Sequence, residues 1–348
     1  MTPVLAPEAV LGFVTTAVGV LAVISLTLAL VAIRLRLRNE ARARQLAELE
    51  ARWTPYLLEV LEGDADPETL HAQVSSRDRL DFVSFLLVFA QRVRGREWKL
   101  VQELALPYLD DIAAAARRRD AERRARAVQT LGELGMPDYA PVLVQALDDE
   151  SDLVAMVAAR RLFRPGNEAY FPAVLHKLDR FSLWSQRFVS GMLASGGVEA
   201  VPVLRTAIAD DGRSAPERVA ALDALRILHD SGAADQAHTL LSEGTDREVR
   251  IAALRLLEVV GHDGYAPEVR ALLTHGDSPT RQAAAEALGA LGDHSDAKAL
   301  ADLLDDPSPW VRVGAARALS ALGARQELLI AAASDGPEGQ VAREVLGR

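Results

Sequence analysis

The chain has 348 residues, 49% apolar, 25% charged and only 5% aromatic, with a formal net charge of -10. That balance favours Ala/Leu-rich helices over sandwiches and barrels, whose strands draw on β-branched and aromatic residues. The absence of cysteine excludes disulfide frameworks, thiolate nucleophiles and Cys-ligated zinc.

From Ala9 to Ile33 the sequence runs for 25 residues without a charge, enough to cross a hydrocarbon core of about 30 Å at 1.5 Å per residue. Fourteen of these residues are Val, Leu, Ile or Phe, which favours insertion by about 4 to 8 kcal/mol before the cost of the glycines and hydroxyls. A cleaved signal peptide needs a basic start and a shorter apolar stretch. Here Glu8 precedes the run and RLRLRNEARAR follows it. Arg34, Arg36, Arg38, Arg42 and Arg44 all lie on the carboxyl-terminal side and no Lys or Arg precedes the span. By the positive-inside rule residues 1–8 then face outward, residues 9–33 span the plasma (inner) membrane once, and the body is cytoplasmic. The five arginines suit the lipid interface.

Residues 34–54 read as a basic helical stalk that ends at Pro55. Residues 55–114 form a divergent helical cap, with helices expected at Tyr56–Leu61, Pro67–Val74, Arg77–Val93 and Glu97–Ala114. The run LDFVSFLLVFA is too short to span a membrane and fits a helix buried between neighbours.

Glycines that end helices recur at Gly135, Gly166, Gly196, a loosened site near Asp230, Gly261, Gly292 and Gly323, in steps of 31, 30, 34, 31, 31 and 31. Such a period marks stacked helical hairpins, because one pair cannot bury its own apolar face. Eleven residues before the glycine stand Arg124, Arg250, Arg281 and Arg312. Ala127, Ala253, Ala284 and Ala315 stand eight before it, and Leu131, Leu257, Leu288 and Leu319 four before it. The Ala and Leu columns share one helix face, so small residues let repeats approach and Leu fills the space. The glycine suits a left-handed cap. Pro141, Pro172, Pro202 or Pro267 then falls in the first turn of the second helix. Asp120, Asp246 and Asp277, four residues before column arginines, suggest a structural ladder of ion pairs, either i,i+4 or between repeats.

DREVRIAALRLLEVVG, DSPTRQAAAEALGALG and DPSPWVRVGAARALSALG resemble HEAT repeats, in particular the short bacterial type also called PBS-lyase HEAT-like. The resemblance covers residues 115–335 and implies an all-α solenoid of about seven hairpins, closed by a capping helix at 336–348. The repeats at 152–180 and 183–209 depart from it, lacking the column Arg and carrying Phe163, Phe171, Phe181, Trp184 and Phe188. Buried aromatics of this kind serve cores more often than sites.

Chemistry is sparse. The seven histidines form no H-E-x-x-H and no ligand cluster, and no phosphate-cradling or nucleophile-elbow motif occurs. No metal, cofactor or catalytic residue is implied. His262-Asp263 and Asp293-His294 occupy equivalent loops and read as polar turns. Two stretches run against the net acidity. Residues 34–44 carry five Arg and one Glu, residues 115–126 six Arg and two acids, each +4, so the remainder stands at -18. Nucleic acid is excluded as a partner on that charge. The Arg-rich helix at 117–126 leaves Arg119, Arg123 and Arg126 off its core stripe, available to anionic lipid or an acidic partner.

A solenoid of this kind implies a concave surface lined by second helices. By position its contacts include Gln145, His176, Lys177, Arg205, Arg270, Lys298 and Asp302, with Trp310 as a candidate exposed anchor. The sequence therefore reads as a membrane-anchored scaffold that binds proteins. By resemblance of architecture it would support an envelope complex such as a polysaccharide-synthesising membrane glycosyltransferase. The competing reading is a HEAT-like enzyme or small-ligand solenoid, which would need a pocket with converging polar groups. The catalytic residues of the bilin-attaching and base-excising relatives have no counterparts that can be placed here.

Overall fold

A computed structural model describes residues 7–90, 96–181 and 184–347, and the chain divides into two units, Met1–Ile112 and Ala113–Arg348. The first unit begins with one 56-residue helix, α1 (Pro7–Glu62). From Gly19 to Arg34 its described side chains are all exposed, and the helix is long and apolar enough to cross a membrane. Pro55 does not end it, contrary to the stalk boundary expected there. Trp53 and Leu57, on either side of the proline, are completely buried, and Leu49 and Val60 extend the same stripe. This packing offsets the backbone hydrogen bond that the proline ring removes. The break comes instead at Gly63, whose φ of 84° suits only glycine.

Asp66 then caps α2 (Pro67–His71) by accepting the Glu68 N–H at 2.9 Å. α3 (Arg79–Ala90), α4 (Arg96–Ala105) and α5 (Leu109–Ala115) follow. α4 and α5 replace the single helix expected at 97–114, with a short turn at Leu106–Tyr108 between them. In the LDFVSFLLVFA run Phe82, Val83 and Leu86 are fully buried, so it is an interior helix as its length implies. The Trp53 and Phe82 rings meet edge-on at 5.1 Å, Phe82 and Tyr108 at 5.4 Å, and the Trp53 indole N–H donates to the Gln73 carbonyl at 3.2 Å.

The second unit is built from seven hairpins. The first helices are α6 (Ala121–Leu134), α8 (Asp152–Leu162), α10 (Gln186–Ala194), α12 (Ala215–Ile227), α14 (Arg247–Val260), α16 (Ser278–Leu291) and α18 (Pro309–Ala321). Their shorter partners are α7 (Ala140–Ala146), α9 (Phe171–Leu175), α11 (Val201–Ala209), α13 (Ala234–Thr239), α15 (Ala266–Ala271), α17 (Ala297–Asp302) and α19 (Arg325–Ala332), and α20 (Pro337–Leu346) closes the stack. The four column alanines are fully buried, and so, to within 1%, are the four column leucines. The expected prolines open α7, α9, α11 and α15.

The glycine column does two different things. Gly135 and Gly323 take the left-handed conformation, and at the loosened site His229 adopts it instead, with φ 53°. Gly261 and Gly292 do not, because both are extended. A Cβ there would stand 2.5 Å from the Leu257 carbonyl or 2.5 Å from the Asp296 carboxylate, so room, not handedness, demands glycine. In the divergent repeats Phe163 stacks on Phe171 at 4.3 Å and Phe181 is 1% exposed. Those aromatics are core.

Candidate protein-binding surface

The column arginines organise the surface between successive repeats. Arg124 lies 5% exposed and donates from Nε and Nη2 to both Asp149 oxygens at 2.8 and 2.9 Å, and from Nη2 to Glu150 at 3.0 Å. Its Nη1 donates to the carbonyls of Arg118 and Arg119 at 2.9 and 2.8 Å. Arg281 repeats the arrangement with Asp306, at 2.7 and 2.9 Å, and with the His275 carbonyl at 2.8 Å. The ladder thus runs to a carboxylate 25 residues ahead and not to the aspartate four residues back. Asp120, Asp246 and Asp277 cap their helices instead, accepting backbone N–H groups of the first turn. Burial alone would raise the Asp149 and Asp306 carboxyls, but the guanidinium bonds and the N–H groups of Ser151 and Ser308 outweigh it and hold both below their ordinary value.

Elsewhere the bracket is altered. Ala155 replaces the arginine in the second repeat, and Arg180, at the carboxylate position, reaches back to the carbonyls of Leu147 and Asp149, each at 2.6 Å. Arg213 does likewise to the Leu175 carbonyl at 3.0 Å. Arg250 finds His275 opposite it, with Nη1 3.2 Å from the imidazole Nε2, and its own Nε has no partner among the described residues. Nothing at the column arginine position announces Arg180 and Arg213. Only the 25-residue offset, applied from the other side, would have found Arg180.

The eight residues expected to make contacts differ in what they touch. Gln145, His176 and Lys177 belong to the first two hairpins. There Lys177 Nζ pairs with Asp148 at 2.7 Å, and Arg117 donates to Gln145 at 3.3 Å. Arg205 and Arg270 are ion-paired to the next hairpin: Arg205 donates from Nε to Asp230 at 2.7 Å, and Arg270 to the buried Asp296. They hold repeats together, with Arg270 still exposed and Arg205 half-buried. Lys298 and Asp302 lie exposed on α17, His176 is exposed beside Lys177, and none of the three has a polar partner among the described residues. Trp310 is 70% exposed at the start of α18, so it is not packed on the carboxyl-terminal helix. Among the arginines that follow the apolar stretch of the first unit, Arg34, Arg38 and Arg44 are exposed, Arg36 pairs with Glu40 at 2.9 Å and Arg42 with Asp81 at 3.4 Å.

The Arg-rich segment differs from the helix expected over 117–126. α6 begins only at Ala121, so Arg117, Arg118 and Arg119 sit in the preceding turn. They border a cleft of about 510 Å³, with Gln145, Asp148, Asp149 and Glu150 on its other wall. Three repeats further on, a cleft of about 630 Å³ occupies the same place, lined by Asp211, Arg218, Thr239, Ser242, Glu243 and Asp246 among others. Both volumes lie within the usual range of ligand sites, so size does not count against a small ligand, but their charged linings differ from typical apolar pockets. His262 and Asp293 accept the N–H groups of Gly264 and Ser295 at 3.0 and 2.7 Å, which makes them turn residues. Among the described residues no group of three His, Asp or Glu is placed to hold a metal ion.

A family model for HEAT repeats matches residues 109–182 and 234–320. No curated protein matches the chain. Among solved structures, the karyopherin Kap121p bound to the extreme C-terminus of the protein phosphatase Cdc14p aligns at 15% identity and a TM-score of 0.46, over 78% of this chain and 38% of that one. Kap121p bound to the SUMO protease Ulp1p aligns at 14% and 0.47, over 78% and 37%. Human deoxyhypusine hydroxylase in complex with glycerol aligns at 20% and 0.30, over 73% and 98%. The chain therefore spans about 38% of the length of the karyopherin it matches. It is an all-helical protein that carries HEAT repeats, stacked as a solenoid of seven hairpins.

Proposed function

We propose that this chain is a membrane-anchored scaffold whose repeats hold partner proteins. The observation that carries the reading is a repeat array that leaves His176, Lys298, Asp302 and Trp310 exposed, while Arg124, Arg205, Arg270 and Arg281 join successive repeats. Exposed polar residues together with an exposed Trp are the raw material of a protein interface. The anchor reading rests on α1. Nine large apolar side chains between Val20 and Ile33 are about half exposed or more, a patch far larger than a soluble surface tolerates. Residues 9–33 then cross the bilayer, with Arg34, Arg36, Arg38, Arg42 and Arg44 marking the cytoplasmic side. Tethering raises the effective concentration of a partner, so weak contacts suffice.

The narrower proposal is an envelope partner, a membrane glycosyltransferase that makes polysaccharide, and it rests on likeness of architecture. The scaffold reading gives the chain no reaction of its own. A second reading, binding of a small polar ligand, is favoured by the 630 Å³ cleft at Glu243. In-cell crosslinking with mass spectrometry, comparing the intact chain with one lacking residues 1–33, tests the first. A stoichiometric partner linked through the second helices and lost without the anchor is the expected result. The same partner captured equally by both forms would remove the tether from the reading, and no partner from either would sink it.

A further inference from the structure

The cleft at residues 117–150 holds more charge than its neighbours use. Each of its carboxylates already faces a cation: Asp148 meets Lys177 at 2.7 Å, Asp149 takes the Arg124 fork at 2.8 and 2.9 Å, and Glu150 takes its Nη2 at 3.0 Å. The opposite wall is not balanced. Arg117 rests only on the neutral Gln145 amide, at 3.3 Å, and the exposed guanidinium groups of Arg118 and Arg119 have no carboxylate among the described residues. Arg123, in the first turn of α6, is likewise exposed and unpaired.

This basic wall is fixed in place. The carbonyls of Arg118 and Arg119 are held by Arg124 Nη1 at 2.9 and 2.8 Å, while the N–H groups of Arg117 and Arg118 donate to Ala114 and Ala115, both at 3.2 Å. Because the backbone is pinned by a buried arginine, a ligand spends little on ordering it. The bracket that joins repeats therefore also presents the unpaired arginines.

We infer that the cleft of about 510 Å³ bordered by Arg117, Arg118 and Arg119 is the docking site for an acidic segment of a partner protein. The inference rests on the protein-binding reading above and names the chemistry of the partner. Guanidinium forks match single carboxylates in geometry. A flat anionic bilayer would face the row Asp148, Asp149 and Glu150 on the other wall, whereas one acidic chain can keep to the arginine side.

The test uses the full chain in detergent micelles and a fluorescein-labelled octapeptide of alternating Asp and Glu, read by fluorescence anisotropy at two salt concentrations. Arg118→Glu with Arg119→Glu should weaken binding by at least about tenfold, since each change turns an attraction into a repulsion. Arg187→Glu with Arg317→Glu, the same charge change at exposed sites elsewhere, should change it by less than about twofold. The milder Arg118→Gln with Arg119→Gln, with helix content and melting temperature unchanged, should give an intermediate loss. Equal loss from both Glu pairs, or none from the first, overturns the inference. So does displacement of the peptide by soluble dihexanoyl phosphatidylglycerol at equal charge, which would assign the cleft to a lipid headgroup. Crosslinking that finds no cellular partner while the peptide binds as expected would fault the scaffold and leave the cleft chemistry standing.

Discussion

The clefts of the first and fourth repeats correspond at an offset of 94 residues over most of their lining, for example Arg124 and Arg218, Gln145 and Thr239, Asp149 and Glu243. In the first, the arginine closes a buried bracket on the carboxylate 25 residues ahead. In the fourth it does not. Asp211, standing where the first repeat has Arg117, lies 3.0 Å from Arg218, while Nε donates to the Ile208 carbonyl at 3.2 Å, and Glu243 lies in the cleft wall instead of in a bracket. An arginine and a carboxylate at the same spacing thus close on each other in one repeat and not in the other. Loop sequence decides, not loop length, because the two loops are equally long and differ in the acceptor they bring to the arginine.

That contrast can be broken most directly at Arg124. Arg124→Ala leaves Asp149 charged and largely buried and frees two loop carbonyls, and should cost about 3 to 5 kcal/mol in urea unfolding followed by circular dichroism. Arg281→Ala should cost the same range, for the same reason. Arg218→Ala should cost only about 1 kcal/mol, because it loses one backbone bond and a pair with the exposed Asp211. Equal losses at Arg124 and Arg218 would end the distinction between the two repeats.

The half-formed bracket at Arg250 sharpens the comparison. His275→Asp restores the residue type found at Asp149 and Asp306 and gives the unpartnered Arg250 Nε an acceptor, so a gain of about 1 kcal/mol is expected. Acid adds a check with a definite sign. Asp149 and Asp306 are held below their ordinary 3.8, so their contribution is present above that pH and is lost as pH falls further, through the folded-state value. Asp149→Asn should therefore lower stability at neutral pH and flatten its decline below about 3.8. Glu258 runs the other way. Burial first, and then the Glu286 charge, raise its carboxyl, so Glu258→Gln should stabilise the protein slightly as pH rises above 4.5. Exposure limits that gain to a few tenths of a kcal/mol, roughly. The smallest effect belongs to Trp310→Ala, which should leave stability within about 0.5 kcal/mol while reducing partner crosslinking.

Much of the fold was legible before any coordinates. Period and columns identify the hairpins, since Ala127, Leu131 and their counterparts must share a buried face if the spacing of eight and four from the glycine is helical. The prolines mark second helices because a ring without an N–H is tolerated only in the first turn. The site was less legible. Arg205 and Arg270 fall on second helices as expected, and they also pair with Asp230 and Asp296 of the next hairpin, which depends on how neighbouring repeats are rotated.

Sequence by itself therefore determined the all-helical class, the seven-hairpin register and a 25-residue apolar run, since each follows from spacing along one chain. Only the tertiary structure decided that Pro55 lies inside a helix, that Gly261 and Gly292 are demanded by close approach, and that the arginine turn before α6 keeps three charges unspent. Those outcomes depend on which atoms of separate repeats or helices come within a few ångströms, and local periodicity carries no record of that distance.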